Sequence, residues 1–166
     1  IKPDNIIISK DKRVKITDFS ISTRLSKENS PIDFSNQMQG TLAYISPEQT
    51  GRMNRSLDYR SDLYSLGITF YEMMTASLPF STTDQMELVH CHLAKNPIPP
   101  REINSNIPRI LSDIVMKLMK KNPEERYQSA YGLKIDLINC LNQFQNKGKI
   151  RNFIPGEHDV PSGFQI

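Results

Sequence analysis

Two short apolar runs open the chain, Ile6-Ile7-Ile8 and Val14-Lys15-Ile16, separated by the charged tetrad Lys10-Asp11-Lys12-Arg13. The pattern predicts strand, turn, strand. With the tetrad as a four-residue loop, Ser9 pairs with Val14, Ile6 pairs with Thr17, and Asn5 faces Asp18 across the open end with backbones about 5 Å apart. Residues 19–39 are polar and serine-rich, and Pro31 interrupts any helix, so this stretch reads as a loop. The strongest helical pattern covers residues 62–75: Leu63, Leu66, Phe70 and Met73 or Met74 recur at helical spacing. Tyr64, Ile68 and Tyr71 widen that stripe until the helix suits the centre of a core. Asp62 stands at its N-terminus, where a carboxylate caps free N–H groups and complements the dipole. Leu78-Pro79-Phe80 ends this helix, and Thr83-Asp84 opens another that runs to about Ala94. Asn96-Pro97-Ile98-Pro99-Pro100 is an extended connector. Pro108 fits the first turn of a helix with the apolar stripe Ile110, Leu111, Ile114, Val115, Leu118 and Met119. Ser129 reads as the N-cap of a last helix with Leu133, Leu137, Leu141 and Phe144 facing inward. From Asn146 onward the periodicity fades into Lys147-Gly148-Lys149, Pro155-Gly156 and Pro161-Ser162-Gly163, the marks of a linker that packs poorly.

Composition narrows the class. The 166 residues fit one domain large enough to bury a core. A net charge of +3, from 21 basic and 18 acidic side chains, is too mild to argue for nucleic acid or a membrane surface as partner. No apolar run reaches membrane-spanning length. Cys91 and Cys140 lack metal-ligand spacing and read as buried thiols, a usage that fits a reducing cytoplasm. His90-Cys91-His92 has no second ligand cluster, so ordinary helix residues are the simpler reading.

Candidate chemistry concentrates near the start. Asn5 and Asp18 offer an amide oxygen and a carboxylate, hard donors suited to Mg2+ that is also held by phosphates. Lys2-Pro3-Asp4-Asn5 resembles the second half of the protein-kinase catalytic loop, H-R-D-x-K-P-x-N, and Asp18-Phe19-Ser20 resembles the D-F-G motif with its last residue changed. Gly40-Thr41-Leu42-Ala43-Tyr44-Ile45-Ser46-Pro47-Glu48 resembles the segment ending in A-P-E. Asp62-Leu63-Tyr64-Ser65-Leu66-Gly67 resembles the start of the buried large-lobe helix, and Asn122-Pro123-Glu124-Glu125-Arg126-Tyr127 the D-P-x-x-R turn. Each motif alone is weak; five in the family's order across residues 1–127 are specific. Ser46-Pro47-Glu48-Gln49-Thr50-Gly51-Arg52-Met53-Asn54-Arg55 and Tyr59-Arg60-Ser61-Asp62 further resemble the serine/threonine kinase domain of large proteins in which an ATPase module and a sensor histidine kinase follow.

The resemblance implies a protein kinase-like fold, the C-terminal (large) lobe only, mainly α-helical with one small β-hairpin at the N-terminus. It implies ATP and Mg2+ as cofactors and a protein substrate. Asp18 and Asn5 would bind the metal, and Lys2 would neutralise the transferred phosphoryl group. Thr41 would contact the catalytic Asp and Lys, favouring serine or threonine as acceptor. Glu48 would pair with Arg126, and Asp62 would hold the catalytic-loop backbone. Taken singly, Lys2 is a solvated lysine, Asn5 a turn residue, Asp18 an Asx turn, and Glu48 and Arg126 surface charges near prolines; the shared order outweighs those readings. Residues 19–39 correspond to the activation loop, where Ser22, Thr23, Ser26, Ser30 and Ser35 are either phosphorylation sites or ordinary solvated serines. Ser20 replaces a glycine at a cost of about 1 kcal/mol, which bears on regulation more than on metal binding.

In the family pattern the His, Arg and catalytic Asp immediately precede Ile1, and the glycine-rich loop lies further upstream. Residues 1–145 are therefore expected to be a large lobe cut inside the catalytic loop, inactive and marginally stable alone, with 146–166 a linker towards a following domain. The parent reads as an active serine/threonine kinase; the alternative is a pseudokinase-type interaction module, for which Ser20 is the only hint.

Overall fold

The structure, a computed structural model, describes residues 1–17 and 39–159, with residues 39 and 40 described as backbone only. A turn of 3-10 helix at Pro3–Asn5 leads into strands β1 (Ile6–Ile8) and β2 (Val14–Ile16). Helices α1 (Gln39–Leu42), α2 (Arg60–Thr75), α3 (Gln85–Ala94), α4 (Pro100–Ile103), α5 (Arg109–Leu118) and α6 (Ala130–Lys147) follow, with 3-10 turns at Pro47–Thr50 and Pro123–Glu125. Among the described residues this is a mostly helical domain with one two-stranded antiparallel sheet. No described helix is long and apolar enough to cross a membrane.

The hairpin forms in a different register from the one expected. Ile6 pairs with Ile16, Ile7 with Lys15 and Ile8 with Val14. The loop is one residue shorter because Lys12 adopts a left-handed conformation, φ 61°, and its N–H donates to the Ser9 carbonyl at 2.8 Å. Such a three-residue loop, a tight turn closed by a left-handed residue, is a common hairpin solution. Ser9 Oγ and the Arg13 guanidinium both reach the Asp11 carboxylate and brace it. The residue opposite Asn5 is consequently Thr17, whose N–H donates to the Asn5 carbonyl at 2.8 Å, and not Asp18.

Helix α2 is the axis of the fold. Leu63, Tyr64, Ile68 and Tyr71 are buried along it, and so are the small Ser61, Ser65, Gly67 and Thr69. Small residues let α5 approach closely: a Cβ on Gly67 would lie 2.8 Å from Leu118 Cβ and 2.9 Å from Met119 Cγ. One side of the core gathers Leu63, Ile110, Ile114, Leu118, Tyr127, Leu133 and Cys140. The other gathers Tyr64, Ile68, Tyr71, Val115 and Met119. A third cluster, Leu42, Ile45, Phe80, Leu88 and Cys91, fastens the segment after α1 to α3.

Caps explain most boundaries. Asp84 accepts from Glu87 N at 2.9 Å to start α3, and Ser129 accepts from Gly132 N at 2.9 Å to start α6, both as anticipated. Helix α2 begins at Arg60, two residues earlier than its apolar pattern, because the Asp58 carboxylate accepts from Arg60 N at 2.8 Å. Asp62 therefore sits in the first turn and not at the cap. Pro108 is itself the N-cap of α5, just outside the helix. The α6 expectation is half right. Leu133 is buried and Leu137 packs against the core, but Leu141 and Phe144 are 53% and 58% exposed. The buried face instead runs Leu133, Asp136, Cys140. Asp136 tolerates burial because it accepts from Tyr127 Oη at 2.5 Å and Gly156 N at 2.7 Å. The chain after α6, expected to pack poorly, folds back as far as Asp159, with Ile150 and Phe153 against the core.

Candidate functional site

Proline at the first helical position of the Pro3–Asn5 turn presets its backbone, and the Lys2 carbonyl accepts from Asn5 N at 3.0 Å. Lys2 and Asp4 thereby project from one turn, with Lys2 Nζ 3.6 Å from Asp4 Oδ2 and the lysine the less exposed, 24% against 81%. The Asn5 backbone is committed to Thr17, whose hydroxyl also donates to its carbonyl at 3.3 Å. Its side-chain amide makes no hydrogen bond among the described residues, which leaves a hard oxygen donor available beside Lys2. Asp18, Phe19 and Ser20, and the serines and threonine of the expected activation loop, lie outside the described residues.

An open cleft of about 830 Å3 adjoins this turn, bounded by Asp4, Ala43, Tyr44, Leu78, Phe80 and Leu88. Residues 43 and 44 reach it from the motif segment that starts at Gly40. Thr41, in the same segment, is half-buried in α1; no hydrogen bond joins it to Lys2. Tyr44 forms the wall: its hydroxyl donates to Glu72 Oε2 at 2.6 Å. Burial, and then the hydrogen bond to Glu72, push the Tyr44 phenol well above its usual range, so it stays a neutral donor. The sequence reading did not single out Tyr44 or Glu72 for this role. Both lay in plain view, but no local spacing links positions 28 residues apart.

The segment's far end is anchored by an ion pair. Glu48 and Arg126 are 3% and 1% exposed and form two hydrogen bonds, Arg126 Nη1 to Oε1 at 2.6 Å and Nη2 to Oε2 at 2.8 Å. Ser61 Oγ adds a third bond to Glu48 at 2.8 Å. The remaining guanidinium N–H groups donate to the carbonyls of Lys120, Arg60 and Lys121 at 2.7, 3.0 and 3.0 Å. The guanidinium also lies 4.9 Å from the Tyr64 ring centroid. Burial alone would raise the Glu48 pKa; the hydrogen bonds and charge of Arg126 outweigh it and hold the carboxyl below its ordinary value. Asp62, by contrast, is exposed; its backbone N–H donates to the Tyr59 carbonyl at 3.1 Å, and its carboxylate makes no hydrogen bond among the described residues.

Beneath the cleft, Tyr64 Oη and His92 Nδ1 are 3.1 Å apart, and His92 meets the edges of Tyr64 and Phe80. Burial, then the charge of Lys121, push the imidazole pKa down to about 4, so it is neutral. Lys121 Nζ donates to the Cys91 carbonyl at 3.2 Å and stands 4.8 Å from the Phe80 centroid; burial lowers its pKa to about 8. Cys91 and Cys140 are buried free thiols, as their spacing suggested. Among the described residues no group of three or more His, Cys, Asp or Glu side chains is gathered as a metal site.

Residues 1–137 match the protein kinase domain family. The chain is 55% identical over 105 residues to hybrid signal transduction histidine kinase G of Dictyostelium discoideum, covering 63% of this chain and 3% of that protein. It is 42% identical over 137 residues to a probable serine/threonine-protein kinase of Clostridium perfringens, covering 82% and 19%. It is 36% identical over 142 residues to serine/threonine-protein kinase PknB of Mycobacterium tuberculosis, covering 86% and 22%. The chain thus spans less than a quarter of the length of each of these relatives. With the match running through every motif from Lys2 to Arg126, the chain belongs to the protein kinase domain family.

Proposed function

We propose that this chain is the large-lobe part of a serine/threonine kinase that transfers the ATP γ-phosphate to protein hydroxyls. The observation that carries the reading is the Glu48–Arg126 anchor. It fastens the segment bearing Thr41, Ala43 and Tyr44 at one end, while Ala43 and Tyr44 share a cleft with the turn that bears Lys2, Asp4 and Asn5. Phosphoryl transfer asks a protein for positioning and charge stabilisation more than for covalent chemistry. In this reading Lys2 places its ammonium on the transferred group, and Thr41 orients the acceptor side of the site. Asn5, whose side-chain amide makes no hydrogen bond among the described residues, would hold Mg2+ together with Asp18; the ion, when bound, neutralises phosphate charge. Thr41 with Lys2 favours serine or threonine as acceptor. The similarity to a hybrid signal transduction histidine kinase supports a multidomain parent; in this reading a small lobe precedes residue 1 and ATPase and sensor modules follow residues 146–166. A cytoplasmic setting suits the buried free thiols.

The test is phosphate incorporation by the natural full-length protein with ATP·Mg and a protein substrate, followed by phosphoamino-acid analysis. Phosphoserine and phosphothreonine without phosphotyrosine are expected, together with no turnover by the 166-residue chain alone. Nucleotide binding without transfer would favour an interaction module of pseudokinase type. Turnover by the 166-residue chain, abolished by Asp18→Asn, would overturn its assignment as an incomplete site.

A further inference from the structure

The described chain beyond α6, which ends at Asp159, is secured at several points. Arg151 N donates to Gln143 Oε1 at 2.8 Å, Phe153 packs on the core, and Gly156 N donates to Asp136 at 2.7 Å. Asp159 ends the segment with both carboxylate oxygens engaged. It accepts from the Gln128 backbone N–H and from Ser129 Oγ, the latter at 2.7 Å. Room for that carboxylate exists only because residue 132 is glycine; a Cβ there would collide with Asp159. Gly156, at φ +77°, turns the chain back over Lys117.

Gln128 is where this segment meets the Glu48 anchor. While Asp159 holds its N–H, its carbonyl accepts from Tyr59 Oη at 2.8 Å and its side-chain oxygen accepts from Arg60 Nη1 at 2.9 Å. Its side-chain nitrogen donates to the Pro123 and Arg126 carbonyls, both at 2.9 Å. The Arg60 carbonyl in turn accepts from Arg126 Nη1, the nitrogen that grips Glu48. An unbroken set of hydrogen bonds therefore runs from Asp159 through Gln128, Arg60 and Arg126 to Glu48.

We propose that residues 150–159 form a latch, with Asp159 as its positioning residue, and that closing it steadies the Glu48–Arg126 anchor of the 47–50 turn. A displacement of the chain at Asp159 reaches the motif segment through Gln128, so a movement on the C-terminal side loosens the wall of the cleft. The structure holds the latch seated; coupling of this kind requires a second, released arrangement. The inference concerns coupling within the lobe and stands or falls independently of phosphoryl transfer.

Amide hydrogen exchange on the full 166-residue chain tests it. Asp159→Asn removes the anion while keeping the shape; Gly132→Ala keeps the anion and removes its space. Glu157→Gln, whose side chain makes no hydrogen bond among the described residues, is the control. Both variants, but not the control, should raise exchange about fivefold in 150–159 and in 47–51, with the α5 amides at 114–118 unchanged. Coupling is reciprocal, so Glu48→Gln should raise exchange in 150–159 by a similar factor. If the tail is freed while 47–51 stays protected, or if 114–118 opens by the same factor, the coupling is wrong. If neither variant frees the tail, the latch itself is wrong.

Discussion

Arg126 spends every N–H it has: two on Glu48, and the rest on the carbonyls of Lys120, Arg60 and Lys121. A guanidinium is the only side chain with that fork, so lysine cannot replace it. Removing either partner leaves a buried charge unpaired, and Glu48→Ala or Arg126→Ala should cost about 3–5 kcal/mol in urea unfolding. This pair was legible in the sequence because Pro47-Glu48 and Pro123-x-x-Arg126 occur in the family's order. His92 was legible only as an ordinary helix residue. Its burial between Tyr64 and Phe80 gives it a pH signature. The native imidazole is neutral down to about pH 4, whereas the unfolded one takes a proton near 6.5. The unfolded state therefore binds more protons in that window, and stability present at pH 7 is lost as pH falls from about 6.5 to about 4. The loss is on the order of 3 kcal/mol. His92→Gln should flatten the pH dependence of the urea midpoint over this window; an unchanged slope would refute the assignment.

At the scale of elements, α2 and α5 were readable because their apolar stripes are long, while their closeness depends on Gly67. Gly67→Ala should overpack the contact with Leu118 and Met119 and lower stability by about 1–3 kcal/mol in thermal or urea unfolding. The end of α2 is the reverse case. Ala76 holds a left-handed backbone, φ 54°, at a position that favours glycine. Ala76→Gly should stabilise by up to about 1 kcal/mol, read as a raised urea midpoint. The hairpin register escaped the sequence because Lys12 takes the left-handed position with none of the glycine or asparagine that normally marks it. The inward face of α6 escaped it because Asp136 is buried by two hydrogen bonds that come from residues 127 and 156, which no periodicity reveals. The docked tail escaped it for the same reason: the Asp159 carboxylate reaches Gln128 and Ser129 from 31 and 30 residues further along, in a stretch whose local pattern reads as turns.

Across the whole molecule, the core is built around α2 and the hairpin stands at its edge. Ile7, Ile8, Val14 and Ile16 are 52%, 65%, 63% and 47% exposed, an apolar ribbon with little of its own to bury it. A two-stranded hairpin in that position contributes little stability and invites association. Ile8→Thr with Val14→Thr should therefore reduce self-association in light scattering and leave the unfolding midpoint within about 0.5 kcal/mol. The candidate site was read as a set of motifs; in the fold, Asp4 of the Pro3–Asn5 turn and residues 43 and 44 line one cleft. The most direct test of the central claim is a double-mutant cycle on phosphoryl transfer by the natural full-length protein, using Asn5→Ala and Asp18→Asn. If both side chains hold the same Mg·ATP, each single change should lower kcat/KM by a factor on the order of 100 or more. The double variant should then fall little further than the worse single one. Losses that multiply in full, or an Asn5→Ala enzyme as active as wild type, would contradict the account.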